Sequence, residues 1–159
     1  MSSYDTNLDK NPANYIPLTP LTFLERAKDV YPNYEAIVYE DRSYTWSQVY
    51  KRAIKFASAL EKIGIKKGDT VSFLAFNTPE IFEAHYSVPM TGGVLNTINI
   101  RLDANTIAYI LEHSEAKVVV VDRQLLSSND GWCSKIYAIV LASNLMFMVF
   151  KTPPVIGTE

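Results

Sequence analysis

The stretch from Gly64 to Arg101 restricts the fold of this chain more than any other part of its sequence. It begins with an almost continuously apolar segment, Thr70–Phe76, which is typical of a strand buried on both faces of a parallel sheet. A helix-forming segment follows, and Val94–Ile98 is predicted to be the next strand. Strand, helix and strand in this order predict a βαβ unit, whose crossover is right-handed in nearly all known folds.

The residues at the joints of this unit are those that begin and end helices. We expect Thr78 to cap the helix, because its hydroxyl can accept from free amides, and Pro79 to occupy the first helical position. Glu80 would then face the positive end of the helix dipole. The pair Gly92–Gly93 is predicted to end the helix, and we favour this interpretation over a phosphate-binding loop.

The sequence before this unit predicts a helix, a hairpin and a second helix. The first helix is expected at residues 21–30, with Thr22 as a possible N-cap. Ala36–Glu40 and Ser43–Thr45 are predicted strands joined by a tight turn at Asp41–Arg42. The segment Thr45–Gln48 has the pattern of a capping box that opens the second helix.

Three further local signals complete the predicted order of elements. Gly64 should end the second helix in a left-handed conformation, with Ile65 making the hydrophobic contact of a Schellman motif. Asp103 is expected to cap another helix, and Lys117–Val121 has the β-branched composition of a doubly buried strand. The alternation predicts a layered α/β domain with a largely parallel sheet flanked by helices.

The sequence divides into three parts by composition. Residues 1–20 are predicted to be an extended surface segment, residues 21–125 the α/β domain, and residues 126–159 a divergent apolar tail, irregular or helical. Within the tail, Ile136–Phe150 is strongly apolar but shorter than the about 20 residues that span a bilayer. We therefore favour a buried or misplaced apolar segment over membrane association.

Composition excludes several classes of protein. A hydrophobic content of 48% with 20% charged residues argues against general disorder. The net charge of −2 offers no basic face for nucleic acid. Cys133 is the lone cysteine, which excludes an intrachain disulfide and a cysteine-based metal site, and the first residues do not have the pattern of a signal peptide. We therefore expect a cytoplasmic protein.

Two turns are candidates for ligand binding, because ligands of open α/β sheets lie beyond the carboxyl ends of strands. They are Phe76–Glu80 and Ile98–Asp103. The first has no glycine to let backbone amides approach a phosphate, and Glu80 would repel one. No nucleophile elbow and no zinc-binding histidine pair occur in the sequence. We assign no catalytic, cofactor-binding or metal-binding residue.

Three individual side chains have more than one interpretation. His85 is expected to pack on its helix or to be partly exposed, rather than to act as a base. His113 is expected in the last turn of a helix, where its partial charge suits the dipole. Arg101 follows a buried strand, where it could meet an anion or form a structural ion pair. The ion pair is the favoured interpretation.

Four segments resemble the AMP-dependent synthetase/ligase family of adenylate-forming enzymes, to which the acyl-CoA synthetases belong. Ser43–Val49 and Met90–Asn99 resemble the first and second core motifs of the family. Leu60–Val71 resembles its glycine–aspartate turn, and Asn99–Ser114 resembles the segment that follows the second core motif. The resemblance covers about residues 15 to 125 and is closer to the short- or medium-chain acyl branch than to the luciferases.

The resemblance implies a function for a complete enzyme. Such a ligase would activate a fatty or other carboxylic acid with ATP and Mg²⁺, transfer the acyl group to coenzyme A, and belong to fatty acid metabolism. The family's phosphate loop, ribose-binding aspartate and catalytic lysine have no counterpart in this sequence. We therefore expect a truncated, inactive amino-terminal part that binds no cofactor alone. The alternative is a non-catalytic α/β interaction module, attached to a partner or membrane by residues 136–150.

Overall fold

The computed structural model describes residues 9–12, 15–126 and 146–150 of the chain. Up to residue 122, the order of helices and strands is the one that the sequence predicts. The helices are α1 (Pro20–Val30), α2 (Trp46–Lys62), α3 (Pro79–Met90), α4 (Ala104–His113) and α5 (Arg123–Leu126). The strands are β1 (Glu35–Tyr39), β2 (Arg42–Thr45), β3 (Thr70–Leu74), β4 (Val94–Thr97), β5 (Ala116–Asp122) and β6 (Met146–Phe150).

The main sheet has four parallel strands in the order β4-β3-β5-β6. The chain passes from β3 through α3 to β4, and then through α4 to β5 on the opposite side of β3. This confirms both the βαβ unit and the largely parallel sheet. β3 has a neighbouring strand on each side, and its residues Val71–Leu74 are buried.

Two hydrophobic cores cover the two faces of this sheet. On one face, Phe73 and Val120 pack with residues of α2 and α3, including Leu60 and Val88. On the other face, Leu74, Val119 and Val121 pack with Ile107 and Leu111 of α4. Burial of each large apolar side chain stabilises the fold by roughly 1.5–3 kcal/mol, so these layers explain why the continuous apolar segments form strands.

A third core joins the antiparallel hairpin β1–β2 to the helices. Leu24, Val49 and Ala53 form its buried centre, and side chains of the hairpin and of α3 pack around them. The predicted turn at Asp41–Arg42 is wrong by one residue. Glu40 and Asp41 form the turn, Glu40 has a φ of 52°, and Arg42 already pairs with Tyr39 as the first residue of β2.

The beginning of α1 differs from the predicted cap. Thr19 is the N-cap, and Thr22 lies three residues later as its partner in a reciprocal capping box. The Thr22 amide donates to Thr19 Oγ1 at 3.3 Å, and the Thr19 amide donates to Thr22 Oγ1 at 3.2 Å. The helix begins earlier than expected because Pro20 suits its first position.

Both ends of α2 agree with the sequence. The Thr45 amide donates to Gln48 Oε1 at 2.8 Å and the Gln48 amide to Thr45 Oγ1 at 3.3 Å, which confirms the capping box. Gly64 has a φ of 95°, and the Ile65 amide donates to the Leu60 carbonyl at 3.1 Å. These are the contacts of the predicted Schellman motif.

The apolar tail is partly described. Met146–Phe150 form β6, which pairs in parallel with β5 from Val118 to Asp122, so an irregular or helical structure is wrong for these residues. The edge of β5 offers an open row of backbone groups, which the apolar segment pairs with as a strand. Residues 127–145 and 151–159 of the predicted tail lie outside the described residues. No helix in the described part combines the length and apolarity that a membrane crossing needs.

Candidate functional site

The carboxyl ends of β3 and β4 open into a cleft of about 500 Å³. Both turns that the sequence singled out contribute to it, since neighbouring parallel strands end at the same edge of a sheet. Its wall includes Phe76, Asn77, Thr97, Asn99, Ile100 and Arg101. The cleft is therefore where the topology places a ligand of this fold.

Arg101 is the cation of this cleft. Its side chain is exposed, and its backbone amide donates to Asn99 Oδ1 at 2.9 Å, which holds the turn. No carboxylate of the described residues forms an ion pair with Arg101. The favoured structural ion pair is therefore not found within that part of the chain, and the guanidinium group faces solvent at the cleft.

The turn after β3 has no backbone cradle for a phosphate. The Thr78 amide donates to the Phe76 carbonyl at 2.8 Å, so it is used within the turn itself. The hydroxyl of Thr78 is buried and has no hydrogen-bond partner in the described structure. The predicted side-chain cap of α3 is therefore wrong, although Thr78 does occupy the N-cap position.

Beside this turn lies a charged cluster that the sequence analysis missed, formed by Arg42, Arg52, Glu80 and Glu83. Arg42 Nη1 donates to Glu80 Oε1 at 3.1 Å, and Arg52 Nη2 lies 3.6 Å from the same oxygen. Arg52 Nε donates to Glu83 Oε1. Two guanidinium groups therefore lie beside the Glu80 carboxylate, and the expected repulsion of a phosphate by Glu80 stays a prediction.

The cluster is partly removed from water, and Glu83 is its most buried side chain. The Glu83 residue is only 6% exposed, and this burial raises the pKa of its carboxyl, against the opposing effect of Arg52. The hydrogen bond to Glu83 raises the pKa of Arg52, which therefore stays protonated. Arg52 also lies 4.6 Å from the ring centre of Tyr44, where a guanidinium group is attracted to the aromatic face.

Neither of the two histidines lines the cleft. His85 is exposed, and its Nδ1 lies 2.7 Å from the Ile81 carbonyl oxygen. His113 stacks on Tyr109 with 5.4 Å between ring centres, in the last turn of α4. Within the described residues, no group of three or more His, Cys, Asp or Glu could hold a metal ion. The assignment of no catalytic residue stays a prediction.

Comparison with known proteins gives a match to one family model. The model described as "AMP-binding enzyme" matches residues 24–146. This match extends past residue 125, where the resemblance seen in the sequence ended. The boundary proposed there between domain and tail stays a prediction.

Relatives in plants resemble the chain over most of its length. It is 54% identical over 119 residues to a peroxisomal trans-cinnamate:CoA ligase of Petunia hybrida, which covers 75% of the chain and 21% of that protein. It is 50% identical over 121 residues to an acetate–CoA ligase of Humulus lupulus, covering 76% of the chain and 21% of the relative. A peroxisomal butyrate–CoA ligase of Arabidopsis thaliana is 53% identical over 110 residues, covering 69% and 19%. The chain thus spans about a fifth of the length of these relatives.

Solved structures with the same fold include enzymes of this chemistry. An anthranilate CoA ligase bound to anthranoyl-AMP superposes with a TM-score of 0.72 at 25% identity, covering 82% of this chain and 24% of that one. A fatty acyl CoA synthetase of Mycobacterium tuberculosis superposes with a TM-score of 0.69 at 26% identity, covering 81% and 26%.

Proposed function

The chain belongs to the AMP-binding enzyme family, and on this premise we propose that it forms the amino-terminal scaffold of an acyl-CoA ligase. The observation that carries the proposal is the 54% identity over 119 residues to a relative named as a CoA ligase. The residues that match the family model, 24–146, include β3, α3 and β4, the elements that form the cleft. The fold supports the proposal, because its sheet is that of solved CoA ligases.

The reaction proposed for the complete enzyme has two steps. A carboxylate oxygen of the acid attacks the α-phosphate of ATP, which gives an acyl-adenylate and releases pyrophosphate. The thiol of coenzyme A then attacks the acyl carbonyl, and AMP leaves. We propose a short- or medium-chain carboxylic acid as substrate, which agrees with the acetate and butyrate in the names of two relatives.

The contribution of this chain is structural in our proposal. Its sheet and turns form one wall of a cleft, and Arg101 offers one exposed positive charge there to an anionic reactant. The turn after β3 has no glycine, and the described residues contain no cluster that fits a metal ion, so no step through ATP or Mg²⁺ is assigned to these residues. We propose that the 159-residue chain alone neither binds ATP nor forms acyl-adenylate.

The interaction-module alternative has less support. It places function in residues 136–150, of which only Met146–Phe150 lie in the described part, and these form an edge strand of the sheet. The relatives reported above are all named as CoA ligases. β6 extends the four-stranded sheet, which agrees with a role of this segment in the scaffold.

A graft tests the proposed function. The segment of the Petunia hybrida ligase that corresponds to residues 24–146 is replaced by those residues of this chain. We expect the chimera to release pyrophosphate with ATP and a carboxylic acid, and to form the CoA thioester. The matched control carries Val71→Asp, which places a charge at a fully buried position of β3 and should abolish folding. A folded chimera without adenylate formation would contradict the proposal.

The cellular compartment is a separate part of the proposal. The lone cysteine favours the cytoplasm, whereas two of the relatives reported above are named peroxisomal. Imaging of a fluorescent fusion of the full-length protein, together with markers of both compartments, distinguishes the two locations.

A further inference from the structure

The beginning of α3 is fixed differently from those of the other long helices. In α1, α2 and α4, the side chains of Thr19, Thr45 and Asp103 each accept a hydrogen bond from a backbone amide of the first turn. Thr78 makes no such bond at the start of α3. A side-chain cap commonly stabilises the start of a helix, so the first turn of α3 is held without a contact that the other three helices have.

The contact available to α3 is made by Glu80, in its first turn. One carboxylate oxygen, Oε1, accepts from Arg42 Nη1 at 3.1 Å and lies 3.6 Å from Arg52 Nη2. Arg42 belongs to β2 and Arg52 to α2, so Glu80 ties the first turn of α3 to two separate elements. The side chains of Arg42 and Glu80 are only 21% and 23% exposed, which reduces screening of the pair by solvent.

The cluster is a poor way to gain stability alone. Arg42 Nε, Arg42 Nη2 and Glu80 Oε2 are buried without a hydrogen-bond partner in the described structure. Buried polar atoms that lose water without gaining a partner cost free energy, so the net contribution of such a pair to stability is small. We therefore examine how the cluster affects the position of the chain around it, and not its contribution to the free energy of unfolding.

The geometry points to Glu80 as a positioning residue that sets the turn at the carboxyl end of β3. Phe76 and Asn77, which line the cleft, precede Glu80 by four and three residues. Pro79 is the first residue of α3, and its ring fixes its φ, so the preceding turn follows the position of the first turn of the helix. The consequence for catalysis rests on the proposed function, whereas the positional claim does not.

Residue-resolved amide exchange of the full 159-residue chain tests the positional claim. The Thr78 amide is bonded to the Phe76 carbonyl and the Phe82 amide to the Thr78 carbonyl, so both report on this turn. In Glu80→Gln, which keeps the shape but removes the charge, we expect both amides to exchange about fivefold faster, as for loss of a partly buried pair. The amide of Val120 in β5 should be unchanged.

Two further variants make the test decisive. Arg42→Gln removes the same contact from the side of the hairpin and should speed up the same two amides. Glu112→Gln removes an exposed carboxylate of α4 and should change neither. Unchanged exchange at Thr78 and Phe82, or an equal increase at Val120, would overturn the proposal. So would failure of both cluster variants to fold, because that would assign the cluster to global stability.

The catalytic consequence is measured in the grafted ligase. There, Glu80→Gln should raise the KM for at least one of ATP, the acid and coenzyme A by a larger factor than it lowers kcat. In a Glu80→Asp variant, which keeps the charge, that KM should lie between those of the wild type and Glu80→Gln. An inactive graft with altered exchange in the free chain would contradict the proposed function alone. Equal KM values in the active graft, for all three reactants, would overturn the catalytic role of Glu80.

Discussion

Asn96 Nδ2 in β4 donates to Ser72 Oγ in β3 at 3.2 Å, so a polar contact joins two neighbouring strands inside the sheet. The same amide donates to Ser114 Oγ at 3.3 Å, at the end of α4. Ser72 is fully buried. The cleft is lined by residues directly after these strands, and its shape therefore depends on their spacing.

We predict that Asn96→Ala destabilises the chain by about 1–3 kcal/mol, because it leaves the buried Ser72 hydroxyl without this partner. The free energy of unfolding in urea measures the effect. Asn105→Ala, at an exposed position of α4, is the matched control and should change stability by about 0.5 kcal/mol or less. Equal effects of the two substitutions would show that the contact between β4 and β3 contributes nothing.

Helix caps give a second prediction, in which two threonines should behave differently. Thr45→Ala removes the cap of α2 and should cost about 1 kcal/mol. Thr78→Val removes a buried hydroxyl that has no partner, so it should be neutral or stabilising. Thermal unfolding of both variants measures this difference. A larger loss for Thr78→Val than for Thr45→Ala would be incompatible with the cap geometry.

A third prediction concerns the end of α2. Gly64 has a φ of 95°, a conformation that costs residues with a Cβ about 1 kcal/mol, although open space surrounds the position. Gly64→Ala should lower the free energy of unfolding by about that amount, again measured in urea. Glu61→Ala, in the exposed last turn of the same helix, should have little effect. Equal stability of the two variants would contradict a left-handed conformation at Gly64.

Glu83 makes stability depend on pH. Burial raises its pKa above the ordinary value of 4.5, so the folded state keeps the proton at a pH where the unfolded chain has lost it. Its contribution to stability therefore decreases as pH rises from about 4.5 to the raised pKa. The difference in unfolding free energy between the wild type and Glu83→Gln should decrease over that range. A difference that is constant or increases with pH would contradict the burial of the carboxyl.

Local contacts were predicted well from the sequence. The capping box at Thr45 and the Schellman motif at Gly64 depend on residues within one or two turns, so their pattern is visible in a single chain. Thr19 and Thr22 are three residues apart and both have the hydroxyl that a cap requires, and the position of Pro20 favours Thr19. The continuous apolar segments predicted β3 and β5 because burial on both faces leaves no alternation.

Contacts distant in sequence were not predicted. Arg42 and Glu80 are separated by 38 residues, and Arg52 and Glu83 by 31, so no helical or strand period connects them. The cleft could be predicted only as two separate turns, because the order of strands in the sheet decides which turns meet. The predicted side-chain cap of α3 is absent, and the contact of its first turn with β2, through Glu80 and Arg42, has no local sequence signal.

Nucleotide binding by the purified 159-residue chain tests the central claim most directly, namely that this part of the ligase is scaffold. Calorimetric titration with ATP and Mg²⁺ is run on protein whose Val120 amide is protected from exchange, which ensures that the sheet is formed. We predict no saturable heat, because the two turns at the cleft have no glycine that would let backbone amides approach a phosphate, and the described residues contain no cluster of metal ligands. Saturable binding of one ATP per chain would contradict the account.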